Sequence, residues 1–288
     1  MKDLAVAHLS ADPDSVGSAY TYGTHRGMEI FIPQTSIPSA LMVIDMLSLK
    51  SGGSAPVGPL RLHLLDFHSK RSLHPSLHPF PIDTIIDHHL DGDLVAENKT
   101  IIDPVGATST LVGEIILGGG EDLTYEDAIA LGFGICDDTA GLVLHATDRD
   151  SAIMERVKQV SGKDIRWFME KLRQAYMEGF KVDADTRTYT IGNYTINIGQ
   201  FRAPGALSEE KVMREVSQYV WSLGGDMDLY IVSDPGSMKS IIVGKVNNEK
   251  LAPLLGKVVG IHPLLSRKVD VLPLLKKMIE EREGSESP

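Results

Sequence analysis

The sequence predicts an α/β protein: an N-terminal, mostly parallel sheet flanked by helices, followed by a smaller α/β domain. Three observations predict it. Short β-branched apolar runs alternate with amphipathic stretches through residues 4–135, at the spacing of βαβ units. Several of these runs end abruptly in acids or imidazoles. In Thr84-Ile85-Ile86-Asp87-His88-His89, for example, apolar residues give way to one acid and two histidines. Strands of an open sheet end this way where a ligand crevice forms at their carboxyl ends. After Val182 the pattern changes to alternating polar and apolar residues around Gly192-Asn193, which reads as a hairpin. The expected domains are therefore residues 1–182 and 188–288.

In order, Leu4 to His8 reads as a buried first strand that opens onto Asp12-Pro13-Asp14-Ser15 and a small-residue helix start at Val16-Gly17-Ser18-Ala19. Met28 to Ile32 is a second strand and Ser39 to Leu49 a helix. Arg61 to Leu65 is a strand ending on Asp66-Phe67-His68, and a basic, proline-bearing loop, Lys70 to Pro81, leads to the Asp87-His88-His89 strand. Helices are expected over Ala107 to Leu117, stopped by three glycines, and over Tyr125 to Ile135, followed by Cys136-Asp137-Asp138-Thr139. Two charged helices follow, Arg149 to Val160 and Asp164 to Phe180. Beyond the hairpin come a helix from Glu209 to Leu223, strands at Asp228 to Ser233 and Ser240 to Val243, and a final helix from Lys268 to Glu281 with a polar tail.

Composition narrows the function classes. With 42% hydrophobic and 23% charged residues over 288 positions, the chain has material for globular cores. No segment reaches the ~20 apolar residues of a membrane span. Met1-Lys2-Asp3 runs directly into a strand, and Cys136 has no second cysteine to pair with, so a cytoplasmic protein is expected. The formal net charge of -11, from 39 acids against 28 bases, disfavours a grip on long nucleic acid.

Four predicted element ends carry carboxylates or imidazoles: His8 with Asp12 and Asp14, Asp66, Asp87 with His88 and His89, and Asp137 with Asp138. In a parallel sheet the carboxyl ends of the strands share one edge, so these groups converge. Each has an ordinary explanation as a turn, cap or core residue, but four in succession do not. Several ionised acids in a poorly solvated cleft repel one another and require cations. Oxygen ligands with some imidazole suit Mn²⁺ or Mg²⁺, with Co²⁺ or Zn²⁺ as further options. The number of groups is sufficient for two metals about 3.5–4 Å apart that activate a water between them and clamp a phosphoryl group.

His8-x3-Asp12-Pro13-Asp14-Ser15-Val16-Gly17-Ser18-Ala19, Asp66, Asp87-His88-His89, Gly106-Ala107-Thr108-Ser109-Thr110 and Gly134-Ile135-Cys136-Asp137-Asp138-Thr139 resemble the ordered motifs of the DHH phosphoesterase superfamily. In the second domain, Gly260 to Pro273, with Ser266-Arg267-Lys268 at its centre, is similar to the Ser-Arg-Lys segment of family II, manganese-dependent inorganic pyrophosphatases with their DHHA2-like C-terminal domain. The resemblance implies a hydrolase that cleaves inorganic pyrophosphate or short polyphosphate with a water bridged between two Mn²⁺. It implies an active site in the interdomain cleft and a small phosphorylated substrate. It implies that His8 and Asp12 hold one metal, that Asp14, His88 and Asp138 hold the other, and that Asp66 bridges them. Asp87 would orient an imidazole, His89 would face the substrate, and Arg267 and Lys268 would pin the phosphate. A homodimer is the assembly this reading allows, with neither long nucleic acid nor membrane as partner.

The chain departs from that pattern at three places. The hairpin lysine of the pyrophosphatases is replaced by Tyr194 and Thr195, with Lys239 as a candidate substitute. The strand-end aspartate is followed by Phe67-His68 rather than His-Asn. The fourth-motif acid is doubled, so Asp137 stays open beside Asp138. The lost lysine keeps a second substrate class in view: a phosphodiesterase or phosphatase of nanoRNA, cyclic dinucleotides or 3'-phosphoadenosine 5'-phosphate. Phe67, Tyr194 and Phe201 are the residues that would stack a base.

Overall fold

In the computed structural model, which describes residues 1–183 and 186–285, the chain divides into two compact units, Met1–Glu178 and Gly179–Pro288. The expected boundary after Val182 falls partly on residues 184 and 185, and the polar tail partly on 286–288; both stretches lie outside the described residues.

The first unit is built on a five-stranded sheet in the order β2-β1-β3-β4-β5, with every neighbouring pair parallel. Its strands are β1 (Lys2–Val6), β2 (Glu29–Phe31), β3 (Leu60–Leu65), β4 (Ile82–Asp87) and β5 (Lys99–Ile102). Six helices belong to the unit: α1 (Pro13–His25), α2 (Pro38–Met46), α3 (Thr108–Gly118), α4 (Tyr125–Asp138), α5 (Asp148–Ser161) and α6 (Ile165–Glu178). Strand residues divide by parity, as a pleated strand requires. Ala5, Leu65 and Ile86 join the apolar cluster shared with the helices. Leu4, Val6, Leu62, Leu64 and Ile85 join a second cluster with Phe67, Leu73 and Leu77 from the loop after β3. Burial on both sides explains why these strands read as continuous apolar runs rather than alternating ones. Each fully buried leucine contributes roughly 1.5–3 kcal/mol.

From β1 the chain passes to β2 on one side and later returns to β3 on the other. The gap between the carboxyl ends of β1 and β3 is therefore the topological switch point, where open α/β sheets bind ligands.

Two helix contacts set the position of the site. Gly17 brings the α1 backbone against the carbonyl of Ala130 in α4, where any Cβ would collide with it. At the α4 start, Thr124 and Asp127 form a capping box, and the Asp127 carboxylate also accepts from His25 at 2.9 Å at the end of α1. α4 continues three residues past the expected stop at Ile135, so Asp137 and Asp138 lie in its last turn. β5 is not apparent in the sequence because it is a short, exposed edge strand.

The second unit is a mixed sheet in the order β10-β9-β8-β7-β6, in which only β7 and β8 are parallel. The expected hairpin is present as β6 (Thr186–Ile191) and β7 (Tyr194–Arg202), followed by α7 (Glu210–Ser222), β8 (Met227–Asp234) and β9 (Lys239–Val246). α8 (Ala252–Val258) and β10 (Gly260–Pro263) were not anticipated, and α9 (Leu272–Ser285) follows a π-helical turn, Arg267–Val271. Ile198, Leu229, Ile231 and Ile242 pack with Leu254, Val258, Leu275 and Ile279. Every residue of β8 is buried, as befits the central strand.

Candidate metal centre

The residues that end β1, β3 and β4 meet the last turn of α4. His8 Nε2 lies 3.5 Å from both Asp12 Oδ2 and Asp66 Oδ2. His88 Nε2 lies 3.5 Å from Asp66 Oδ1 and 3.3 Å from Asp138 Oδ2. Donor atoms of His8, Asp12 and Asp66 fall within 4.8 Å of one another, as do those of Asp14, Asp66, His88 and Asp138. The two groups share Asp66, which turns one carboxylate oxygen towards each.

Local chemistry prepares each donor. His8 Nδ1 donates to the Leu9 carbonyl at 2.7 Å and His88 Nδ1 to the Val105 carbonyl at 3.1 Å. A carbonyl can only accept, so both imidazoles carry the Nδ1 proton, and Nε2 is the nitrogen left facing the carboxylates. His88 Nε2 is buried without a hydrogen-bond partner. A buried, unpaired acceptor facing three carboxylates is what a cation ligand looks like, and the donor set therefore fits hard divalent ions.

Asp14 is fully buried on the start of α3, accepting from Thr108 N at 2.6 Å and Ser109 N at 2.8 Å. Ala107, the N-cap of that helix, supplies no side-chain bond, so Asp14 satisfies the open N–H groups from a distance. Gly134 of α4 lies so close that a Cβ there would crowd Asp14 and Ser109. Asp12 caps α1, accepting from Ser15 N at 3.0 Å. Ser15 Oγ in turn accepts from His8 N at 3.0 Å. Asp66 holds a left-handed backbone (φ 71°), strained for a residue with a Cβ, and accepts from Thr108 Oγ1 at 2.9 Å. Gly106 to Thr110, quoted as a motif without a task, thus supplies the anchors of two acids.

The electrostatics follow from crowding. Burial and then Asp14 raise Asp66 well above the usual carboxylate range, and burial with Asp14 and Asp12 does the same for Asp138. Burial opposes the charged form of His8, but Asp12 and Asp66 outweigh it and hold the imidazole well above its ordinary value. For Asp12 burial acts upward, yet His8 outweighs it and lowers the carboxyl. Burial likewise opposes a charged His88, and Asp14 with Asp66 raises it all the same.

The two acids of the doubled position face different partners. Asp138 turns to His88, whereas Asp137 Oδ1 accepts from Tyr176 OH at 2.9 Å. Asp87, fully buried, uses Oδ1 for His89 Nδ1 at 2.8 Å and His89 N at 3.0 Å, and Oδ2 for His68 Nδ1 at 2.5 Å. The His89 ring is half exposed, its side chain 56% accessible. His68 and Tyr176 were not singled out for a task in the sequence; the Phe67-His68 departure was the available signal for the first.

Arg267 lies in the second unit, 6% exposed, with its N–H on Gln200 Oε1 at 3.0 Å and Nη1 on the Ile198 carbonyl at 3.4 Å. The side chain of Lys268 lies outside the described residues. Lys239 opens β9 and is exposed. The three aromatics considered for base stacking are engaged in packing. Phe67 is buried, Tyr194 packs on the second core, and Phe201 meets Phe180 at 4.5 Å between ring centroids.

The fold is one shared with solved structures, and the cluster gathers residues from the motifs quoted above. Comparison with known proteins adds the particular relatives. The manganese-dependent inorganic pyrophosphatase of Methanothrix thermoacetophila is 24% identical over 254 residues, 80% of each chain. A probable manganese-dependent inorganic pyrophosphatase of Thermotoga maritima is 36% identical over 104 residues, 35% of this chain and 18% of that protein's length. The crystal structure of a putative family II inorganic pyrophosphatase from Methanococcus jannaschii superposes with a TM-score of 0.64 at 19% identity, covering 96% of this chain and 99% of that one. No protein-family model matches the chain.

Proposed function

We propose that this chain is a manganese-dependent phosphohydrolase that cleaves a phosphoanhydride, with inorganic pyrophosphate, or a short polyphosphate, as substrate. The observation that carries the reading is the pair of donor groups sharing Asp66. Its relatives named as manganese-dependent inorganic pyrophosphatases support it. His8, Asp12 and Asp66 would hold one Mn²⁺, and Asp14, Asp66, His88 and Asp138 the other. Bound there, the two ions supply Lewis-acid polarisation of phosphoryl oxygens and a lowered pKa for water.

The protein's own groups do the rest. Carbonyl bonds at Nδ1 keep His8 and His88 in the ligating tautomer. Thr108 holds Asp66 between the two groups. Asp87 takes Nδ1 of His89 and leaves Nε2 on the exposed side of the ring, where it would meet a phosphate oxygen. Arg267 and Lys268 are assigned to the phosphate; a π-helical turn such as 267–271 often marks a functional position. A cytoplasmic location and a homodimer belong to the same reading.

Purified protein with Mn²⁺ should release phosphate from pyrophosphate or tripolyphosphate. No release from these substrates, with hydrolysis of dinucleotides instead, would move the assignment to the phosphodiesterase reading. Asp66→Ala should lose both metals and all turnover; full activity in that variant would sink the mechanism.

A further inference from the structure

Asp87 is the second member of a three-residue chain. One of its oxygens accepts from His89 Nδ1 at 2.8 Å and the other from His68 Nδ1 at 2.5 Å. His68 is itself clamped. Its side chain is 5% exposed, its carbonyl accepts from Asp93 N at 3.0 Å and Leu94 N at 2.9 Å, and Gly92 lies against its ring so closely that a Cβ there would overlap it. His68 is therefore held by groups other than Asp87 as well.

This matters because His89 Nδ1 has two possible partners. Asp87 Oδ1 is at 2.8 Å, but Asp66 Oδ1 is only 3.8 Å away, and Asp66, His88 and His89 also form a group with donor atoms within 4.8 Å of one another. Released from Asp87, His89 could become a third imidazole of the cluster. Held by Asp87, it cannot offer that nitrogen as a lone pair. An ionised carboxylate only accepts, so both imidazoles bonded to Asp87 must carry a proton on Nδ1.

We propose that His68 is a positioning residue: by occupying one oxygen of Asp87 it orients the other onto His89 Nδ1, which keeps His89 out of the metal set and turned towards the substrate. Without His68 the buried Asp87 carboxylate would lose its only described partner on Oδ2, and such a group re-aims to recover a hydrogen bond. The inference rests on the phosphohydrolase reading for its effect on turnover, but its structural half does not depend on that reading.

The test therefore has two readouts. In ¹⁵N-labelled protein the carboxylate-bonded Nδ1–H of His89 should give a downfield, slowly exchanging proton signal, assigned by its loss in His89→Ala. His68→Ala should abolish or broaden that signal, whereas His68→Asn, whose amide N–H can replace Nδ1–H, should restore it. In turnover assays with Mn²⁺, His68→Ala should lower kcat by about 10–100-fold with little change in KM, His68→Asn should recover most of the loss, and His68→Ala should cost nothing further in a His89→Ala background. Melting temperatures of all variants separate a positioning effect from unfolding. An unchanged His89 signal in folded His68→Ala overturns the proposal whatever the enzyme's substrate. An equal loss of kcat with and without His89 overturns it as well. A restored signal with no hydrolysis of any phosphate substrate would instead condemn the functional reading alone.

Discussion

At the scale of single residues, His88 and His89 show how adjacent identical side chains acquire different partners. The Val105 carbonyl takes Nδ1 of His88 and leaves a buried Nε2 facing Asp66 and Asp138. A carboxylate takes Nδ1 of His89, whose ring stays accessible. His88→Ala should therefore weaken Mn²⁺ binding about 10–100-fold, measured by calorimetry on chelator-treated protein. His89→Ala should leave Mn²⁺ binding near the native level and lower kcat. Equal loss of metal in both would show that this division of roles is wrong. The doubled acid yields a similar contrast. Asp138→Asn should lose metal affinity, while Asp137→Asn, which keeps an acceptor for Tyr176, should retain it. Both tests are readable by metal titration without a substrate.

At the scale of elements, the site depends on helix ends more than on the sheet. Asp150, fully buried in the first turn of α5, accepts from Gly106 N at 2.9 Å, Thr110 Oγ1 at 2.6 Å and Thr147 N at 2.6 Å. It thereby ties α5 to the loop that precedes α3, whose first residues hold Asp14. Burial acts to raise Asp150, but the bonds from Thr110, Thr147 and Gly106 outweigh it and lower the carboxyl below its ordinary value. A carboxyl depressed on folding contributes stability that is fully present above its unfolded pKa, about 3.9, and is lost as pH falls through the folded value. Asp150→Asn should cost roughly 1–3 kcal/mol at neutral pH. It should also flatten the decline in stability below about pH 4, as followed by chemical denaturation across pH. Gly134 gives a second element-scale test. Gly134→Ala puts a methyl group against Asp14 and Ser109, so Mn²⁺ affinity should fall even where circular dichroism reports an intact helix.

For the whole molecule, the acid cluster links metal binding to stability. Burial and mutual repulsion raise Asp66 and Asp138, so the metal-free first unit carries a repulsive site that cations relieve. Mn²⁺ at 100 times its Kd should add about 2.7 kcal/mol to folding per site, and a chelator should remove it. A melting temperature insensitive to Mn²⁺ would argue against the metal centre altogether. Much of the architecture was legible beforehand, because burial on both sides makes parallel strands read as apolar runs with abrupt polar ends. The elements missed, β5, α8 and β10, are short or exposed and bury too little to leave a periodic trace.

The sequence alone determined which side chains could gather at one edge of the sheet. The carboxyl ends of parallel strands must share that edge, so His8, Asp12, Asp14, Asp66, Asp87 to His89 and Asp137 with Asp138 stood out as a group, and the choice of six metal ligands among them came from the family resemblance. Only the tertiary structure decided how those groups point. That Asp137 turns to Tyr176 and that His68 stands behind Asp87 are set by partners 39 and 19 residues distant in the chain, and Asp138 meets His88 from 50 residues away. Position along a strand follows from local periodicity. The direction in which Asp137, Asp138, Asp87 and His88 point follows from hydrogen bonds and contacts that exist only once remote segments have packed.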